Sequence, residues 1–370
     1  MIYLDSASGR KVKKEVLDYF NEIESNYFSN ANSLHSLGKK SLEMNEYFNK
    51  EILKLLELDS NGFEIIHTSS GTEANNLAIK GIANSYSGFG KHILVSPFEH
   101  SSTNATLGYL KDHGYEIEFL ELDENGQIDL DKLDNAIRKD TILVIINIVE
   151  GETGLIQFHY KEISKIVHNH HTKFFADVVQ AVGKIKLDYS YFDLFSVSPH
   201  KFGGLTGTGM LIKRKDIILT PLIHGGKSLS IYRSGSVPTG LIATTYKSLE
   251  IAVNLLEKNY IYVKSLYDYL LESVKDNDKV LVNSLSKDNP YILNLSIKGH
   301  RGSEIVNLLD EKEIYISQKA ACNISNTPSK VIMALFHDKS RASESFRISL
   351  DEEKNPADLE YFLKILKGIC

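Results

Sequence analysis

Cysteine is scarce in this sequence: its 370 residues hold two, Cys322 and Cys370. A secreted disulfide scaffold carries more, and a structural zinc site takes about four ligands, so neither class fits. Proline is thin as well, with seven along the chain, and no linker, low-complexity tract or internal repeat divides it. The strongest apolar run, Thr141 to Val149, falls far short of the roughly 20 residues that a membrane-spanning helix needs. Positive charge is not in excess: 42 Lys and Arg stand against 48 Asp and Glu, a net charge of −6. Broad electrostatic capture of nucleic acid is therefore disfavoured, and neither nucleic acid nor membrane is expected as a partner. The opening MIYLDSASG has no basic segment and no long apolar segment of a secretory signal, so a cytoplasmic location is expected. The one close group of histidines, His168, His170 and His171, ends an amphipathic stretch without a matching carboxylate pattern. It reads as a solvated helix end, and no metal site is expected.

What is present is a rhythm. From about residue 63 to 215, short apolar runs alternate with amphipathic segments: FEIIH, HILVSP, EIEFLEL, TILVIINIV, KFFADVV, DLFSVS and GTGMLIKR. Short runs separated by helical segments of about ten residues or more predict an α/β fold with a mainly parallel, seven-stranded central sheet, covered by helices on both faces. After about residue 240 the texture changes. One long helical pattern, LIATTYKSLEIAVNLLEKNYIYVKSLYDYLLESV, leads into shorter strands such as YILNLSI and a final helix near Pro356 to Gly368. This predicts a smaller α+β domain joined by a helix.

In such sheets ligands bind at the carboxyl ends of the strands. After FEIIH comes TSSGTEANN, where the backbone N–H groups of Gly71, Thr72 and Glu73 would open a helix and cradle a phosphate. After HILVSP comes Glu99-His100. Asp177 lies near the end of KFFADVV, with Gln180 three residues on. A carboxylate in so apolar a run needs a partner that offsets its desolvation. The following strand delivers SVSPHKFGG, which places Ser198, His200 and Lys201 on one turn. A lysine directly after a buried strand has its pKa lowered by desolvation, which suits Schiff-base chemistry.

The order YLDSASG, YFSNANSLHSLG, TSSGTEANNLAIKG, FEHSS, ADVVQAVGKI, SVSPHKFGG, HGGK, YRSGSVP, AAC and FRISL runs nearly end to end. It resembles the fold-type I pyridoxal-phosphate enzymes of the class V aminotransferase group, and within it the cysteine desulfurases. The resemblance implies a large cofactor-binding domain over residues 15–254, and a small domain from residues 1–14 and 255–370 carrying a mobile cysteine loop. It implies pyridoxal 5′-phosphate held covalently by Lys201, with Asp177 on the ring nitrogen, His100 stacked on the ring and Gln180 on the phenolic oxygen. Gly71, Thr72, Ser198 and His200 would hold the phosphate, and Ser236 would reach the phosphate in the neighbouring subunit of a homodimer. Arg347 and Asn30 would bind the substrate, L-cysteine. Cys322 would take its sulfur as a persulfide and pass it to an acceptor protein for iron–sulfur cluster or thionucleoside synthesis. One departure is Gly151, where the family has an Asn near the phenolic oxygen. The alternatives are a selenocysteine lyase or another lyase or transaminase of the same cofactor class, in which Cys322 is dispensable, and a catalytically degraded sulfur-transfer scaffold.

Overall fold

The computed structural model describes residues 1–226, 228–319 and 327–369. Its strands, in chain order, are β1 (Ile2–Tyr3), β2 (Phe63–Thr68), β3 (His92–Val95), β4 (Glu116–Phe119), β5 (Thr141–Asn147), β6 (Lys173–Asp177), β7 (Leu194–Val197) and β8 (Gly209–Arg214). They are followed by β9 (Val280–Val282), β10 (Ile292–Ile297), β11 (Ile314–Tyr315) and β12 (Ser345–Ser349). All seven apolar runs enter one sheet of order β2-β8-β7-β6-β5-β3-β4, in which β8 alone runs antiparallel to its neighbours. The strand-rich texture of the sequence is thus realised as the mainly parallel α/β sheet it predicts.

The reason is visible strand by strand. In β5, Leu143 and Ile145 enter one core while Val144 and Ile146 enter the other; in β6, Phe175 opposes Phe174 and Ala176 in the same way. Residues alternate faces along a strand, so a run apolar at every position requires cover on both sides. The helices that supply it include α1 (Lys14–Asn26), α2 (Ser36–Leu55), α3 (Gly71–Tyr86), α4 (Ser101–Asp112), α5 (Leu130–Ala136) and α6 (Tyr160–Asn169). On one face α3 contributes Ala74, Leu77, Ala78 and Ile82 to the core.

Two expectations need correction. EIEFLEL is a strand only over Glu116–Phe119, and it lies exposed at the sheet edge rather than covered on both faces. Its alternating glutamates are the charged decoration that protects such an edge from pairing. The long helical pattern after residue 240 is two helices, α7 (Thr239–Asn254) and α8 (Leu256–Val274), which part at Leu255. At Leu255, ψ relaxes to 4° with neither Pro nor Gly to announce the break.

Beyond these helices, β9, β10 and β12 form a second, antiparallel sheet, and α9 (Gly302–Asp310), α10 (Lys330–Phe336), α11 (Lys339–Glu344) and α12 (Pro356–Ile369) complete the chain. The N-terminus joins this part: β1 pairs with β11, and Asp5 bridges to Ser349. That pairing carries Ala7 and Ser8 to the carboxyl edge of the large sheet. Among the described residues, no helix is long and apolar enough to cross a membrane.

Candidate active site

The carboxyl ends of β2, β3, β5, β6 and β7 converge on a cavity of about 280 Å³. Gly71, Thr72, His100, Asp177, Gln180, Ser198, His200, Lys201 and Arg347, all singled out by sequence, line it together. Asn30 and Ser236 do not: both are exposed and outside its wall, and Asn30 Oδ1 accepts from the backbone N–H of Asn32. Cys322 lies outside the described residues, as does Cys370.

Helix α3 starts at the cavity because Ser70 is its N-cap, its Oγ accepting from Glu73 N at 3.1 Å. Glu73 returns a carboxylate oxygen to Ser69 N at 2.7 Å and to the Ser69 hydroxyl at 2.6 Å. This corrects the expected cradle. The Glu73 N–H is consumed by the cap, which leaves Gly71 and Thr72 as the outward-facing donors. A Cβ at Gly71 would stand 3.3 Å from Ser198 Cβ and 3.4 Å from Val179 Cγ2, so glycine keeps this corner open. Across it, the Ser198 hydroxyl and His200 Nδ1 are 3.0 Å apart. Burial, reinforced by Lys201 and Lys184, pushes His200 down to about 4, so its ring is neutral at pH 7.

Asp177 ends β6. Its Oδ2 accepts from Asn75 Nδ2 at 2.9 Å and its Oδ1 from Val179 N at 3.0 Å. Asn75, which sequence reading passed over, sits one turn into α3 and is 2% exposed. The same amide nitrogen donates to Ser102 Oγ at 3.0 Å, and Ser102 Oγ lies 2.8 Å from His100 Nδ1. His100 also caps α4, with Nδ1 accepting from Ser102 N at 3.2 Å. Its ring is both cap and cavity wall, with the proton assigned to Nε2. Burial lowers its pKa; Asp177 opposes that shift and Lys201 adds to it.

Lys201 follows β7 on a short 3₁₀ turn and donates from Nζ to Ala7 O at 2.8 Å and Ser8 O at 2.9 Å. The N-terminal segment is therefore part of the site, a contribution no local motif reveals. Arg347, in β12, is 1% exposed. It donates to Asp5 Oδ1, Ser8 Oγ and Gly151 O, each at 2.7 Å, while its buried Nε has no partner among the described residues. Glu99 is a further lining residue without a sequence role: Oε1 accepts from Asn147 N at 2.6 Å and Ser96 Oγ at 2.8 Å, and buried Oε2 has no partner among the described residues. Burial, then the charge of Asp177, raises Glu99 to about 8, so it is mostly a neutral acid at pH 7. The histidines set aside as a helix end behave as such: His168 meets Asp193 and His170 meets Asp134 at the close of α6.

A lysine, a carboxylate, an imidazole and a helix N-terminus at the carboxyl edge of one mostly parallel sheet form an α/β enzyme site with donors for an anionic group and an amine beside them. The comparisons give this class its family. The aminotransferase class-V model matches residues 2–362. A protein of Dictyoglomus turgidum named cysteine desulfurase IscS is 35% identical over 373 residues, spanning 100% of this chain and 94% of its own. One of the same name from Methanosarcina thermophila is 33% identical over 372 residues, spanning 100% and 91%. Among solved structures, a NifS-like protein superposes with a TM-score of 0.91 at 28% identity, covering 100% of this chain and 98% of that one. SspA in complex with cysteine superposes at 0.81 with 30% identity, covering 96% and 100%. The chain belongs to the class-V aminotransferase family, in its cysteine desulfurase branch.

Family membership implies pyridoxal 5′-phosphate, and the cavity's donors fit it. The open corner at Gly71, with the Thr72 N–H, Ser198 and a neutral His200, suits a phosphate. Asp177, already oriented by two donors, retains lone pairs for a protonated ring nitrogen.

Proposed function

We propose that this protein is a pyridoxal-phosphate-dependent cysteine desulfurase, which converts L-cysteine to L-alanine and leaves the sulfur on Cys322 as a persulfide. The observation that carries this reading is the convergence of Lys201, Asp177, His100 and the start of α3 on one cavity that Arg347 also lines. Bound cofactor supplies a carbonyl that condenses with primary amines and a protonated ring that accepts the electron pair released at the amino acid's Cα. Lys201 would anchor it, and Lys201 Nζ then moves the proton at Cα. The Asp177 carboxylate holds a proton on the ring nitrogen, and Asn75 fixes that carboxylate's orientation. His100, in the cavity wall, would pack against the ring and offer Nε2–H as a proton donor. Arg347, in the cavity wall, would bind the substrate carboxylate through its guanidinium. Between substrate and product the balance is simple: the Cβ–S bond of cysteine breaks with its electron pair left on Cβ, the Cys322 thiol gives up its proton as the sulfur–sulfur bond forms, and Cβ gains one proton.

The same reading includes a cytoplasmic homodimer that hands sulfur to an acceptor protein. Ser236 lies exposed outside the cavity of its own chain, which suits a residue serving a neighbour's phosphate. Exposed apolar side chains in two connecting segments, Phe28 at 71%, Leu34 at 89% and Ile231 at 79%, support a partner surface.

The test is incubation with L-cysteine, with an alanine assay and mass measurement of the peptide containing Cys322. One added sulfur atom, absent in Cys322→Ser along with sulfur transfer, is expected. Undiminished transfer in that variant would move the reaction to a lyase that needs no thiol.

A further inference from the structure

We infer that Lys184 is a positioning residue: it holds the Gln180 amide so that this side chain offers N–H, rather than C=O, to the phenolic oxygen of the bound cofactor. The inference rests on the cofactor reading above. It starts from the turn that follows β6. Gly183 there has φ +71°, and a Cβ on it would lie 2.7 Å from Ala252 Cβ, so the backbone runs left-handed and tight against α7. The next residue, Lys184, is thereby turned inward and is 2% exposed. An amine so deeply placed is costly unless its N–H groups are satisfied, and its Nζ donates to Gln180 Oε1 at 2.8 Å.

The other end of the amide is fixed as well. Gln180 Nε2 donates at 2.9 Å to Ala7 O, the carbonyl that also accepts from Lys201 Nζ at 2.8 Å. A carbonyl only accepts and an ammonium only donates. Both neighbours therefore demand the same orientation, and a flipped amide would set carbonyl against carbonyl and N–H against N–H. What Gln180 retains is the second hydrogen on Nε2. On the cavity side its nearest cover is slight, because Gly151 has no side chain and a Cβ there would still be 3.7 Å from Nε2. The charges around Lys184 are the cations Arg10, Lys201 and Arg347 and the anion Glu352, with His200 feeling its charge in turn. Burial and the cations lower its pKa; a neutral amine keeps two N–H groups for the same bond, and a flipped amide is then still opposed by Ala7 O.

A donor on the phenolic oxygen favours the deprotonated chromophore, so it lowers the pH at which the visible absorbance of the bound cofactor titrates. The experiment measures that midpoint in reconstituted wild type, K184M, Q180A and the double variant, with cofactor content determined after alkaline release. K184M is expected to retain cofactor and to raise the midpoint by about half to one pH unit. In the Q180A background, K184M is expected to add no further shift, because the path through the amide is gone. An unchanged midpoint in K184M, or an equal shift in both backgrounds, overturns the inference; the latter would make Lys184 a bare charge. A wild-type protein that takes up no chromophore would instead defeat the cofactor reading, and this inference with it. If K184M is not recovered soluble, K184A takes its place in the same cycle.

Discussion

Asn75 Nδ2 donates to Asp177 Oδ2 across 2.9 Å, joining the first turn of α3 to the end of β6. The two residues are 102 positions apart, and nothing else in α3 approaches the carboxylate with a side-chain donor among the described residues. A hydrogen bond to a charged group contributes about 1.5–3 kcal/mol. Asn75→Ala is expected to lower kcat/KM by about 10- to 100-fold, and to weaken the visible absorbance of the bound cofactor. Steady-state kinetics with L-cysteine check this; an unchanged kcat/KM would show that Val179 N alone fixes Asp177.

Glu99 makes stability depend on pH. Its folded pKa, about 8, stands above the ordinary 4.5. The folded state therefore holds a proton that the unfolded state releases across this window. Its contribution is complete below about pH 4.5 and is lost as pH rises through 8, with a slope of at most about 1.4 kcal/mol per pH unit. Glu99→Gln keeps the oxygen that accepts from Asn147 and Ser96 but cannot ionise. Melting temperatures from pH 5 to 8.5 are expected to fall less steeply in the variant; parallel curves would place the ionised form in the folded site.

How much of this was legible in the sequence follows from distance along the chain. Asp177, His100 and Lys201 each stand where an apolar run stops, so the sheet rule alone sends them to one edge. The Glu73 N–H expected in the phosphate cradle goes to Ser70 instead, because an S-x-x-E turn satisfies its own N–H before any ligand arrives. Asp5, Ser8 and Asn75 were not legible, since their roles come from pairings such as Asp5 with Arg347, 342 residues apart. Glu99 and Lys184 were quoted within motifs, but their burial and unusual protonation arise only after packing. The break at Leu255 has no local marker at all.

Arg347 offers a test of substrate binding. Arg347→Ala is expected to raise KM for L-cysteine by about 10- to 100-fold, in line with about 1.5–3 kcal/mol for a charged hydrogen bond. Saturation kinetics decide it. An unaltered KM would mean that the guanidinium serves only to tie Asp5, Ser8 and Gly151 together.

The two glycines of the cavity wall are expected to respond oppositely to alanine. At Gly151 the added Cβ meets Gln180 Cγ and Nε2 at 3.7 Å, ordinary contact, so Gly151→Ala should leave the melting temperature unchanged or slightly raised. At Gly71 it meets Ser198 Cβ at 3.3 Å, beside the proposed phosphate corner, so Gly71→Ala should weaken cofactor retention. Thermal melts of Gly151→Ala and equilibrium dialysis of Gly71→Ala check these; wild-type retention in Gly71→Ala would remove the phosphate from that corner.

Two lysines, the partly buried Lys201 and the buried Lys184, are joined through Ala7 O and the Gln180 amide, and the covalent role belongs to Lys201 alone. The direct measurement is borohydride reduction of the reconstituted protein, followed by peptide mapping of the pyridoxyl group. The label is expected on Lys201. Its appearance on Lys184, or on no lysine of the cavity, would contradict the assignment and the chemistry built on it.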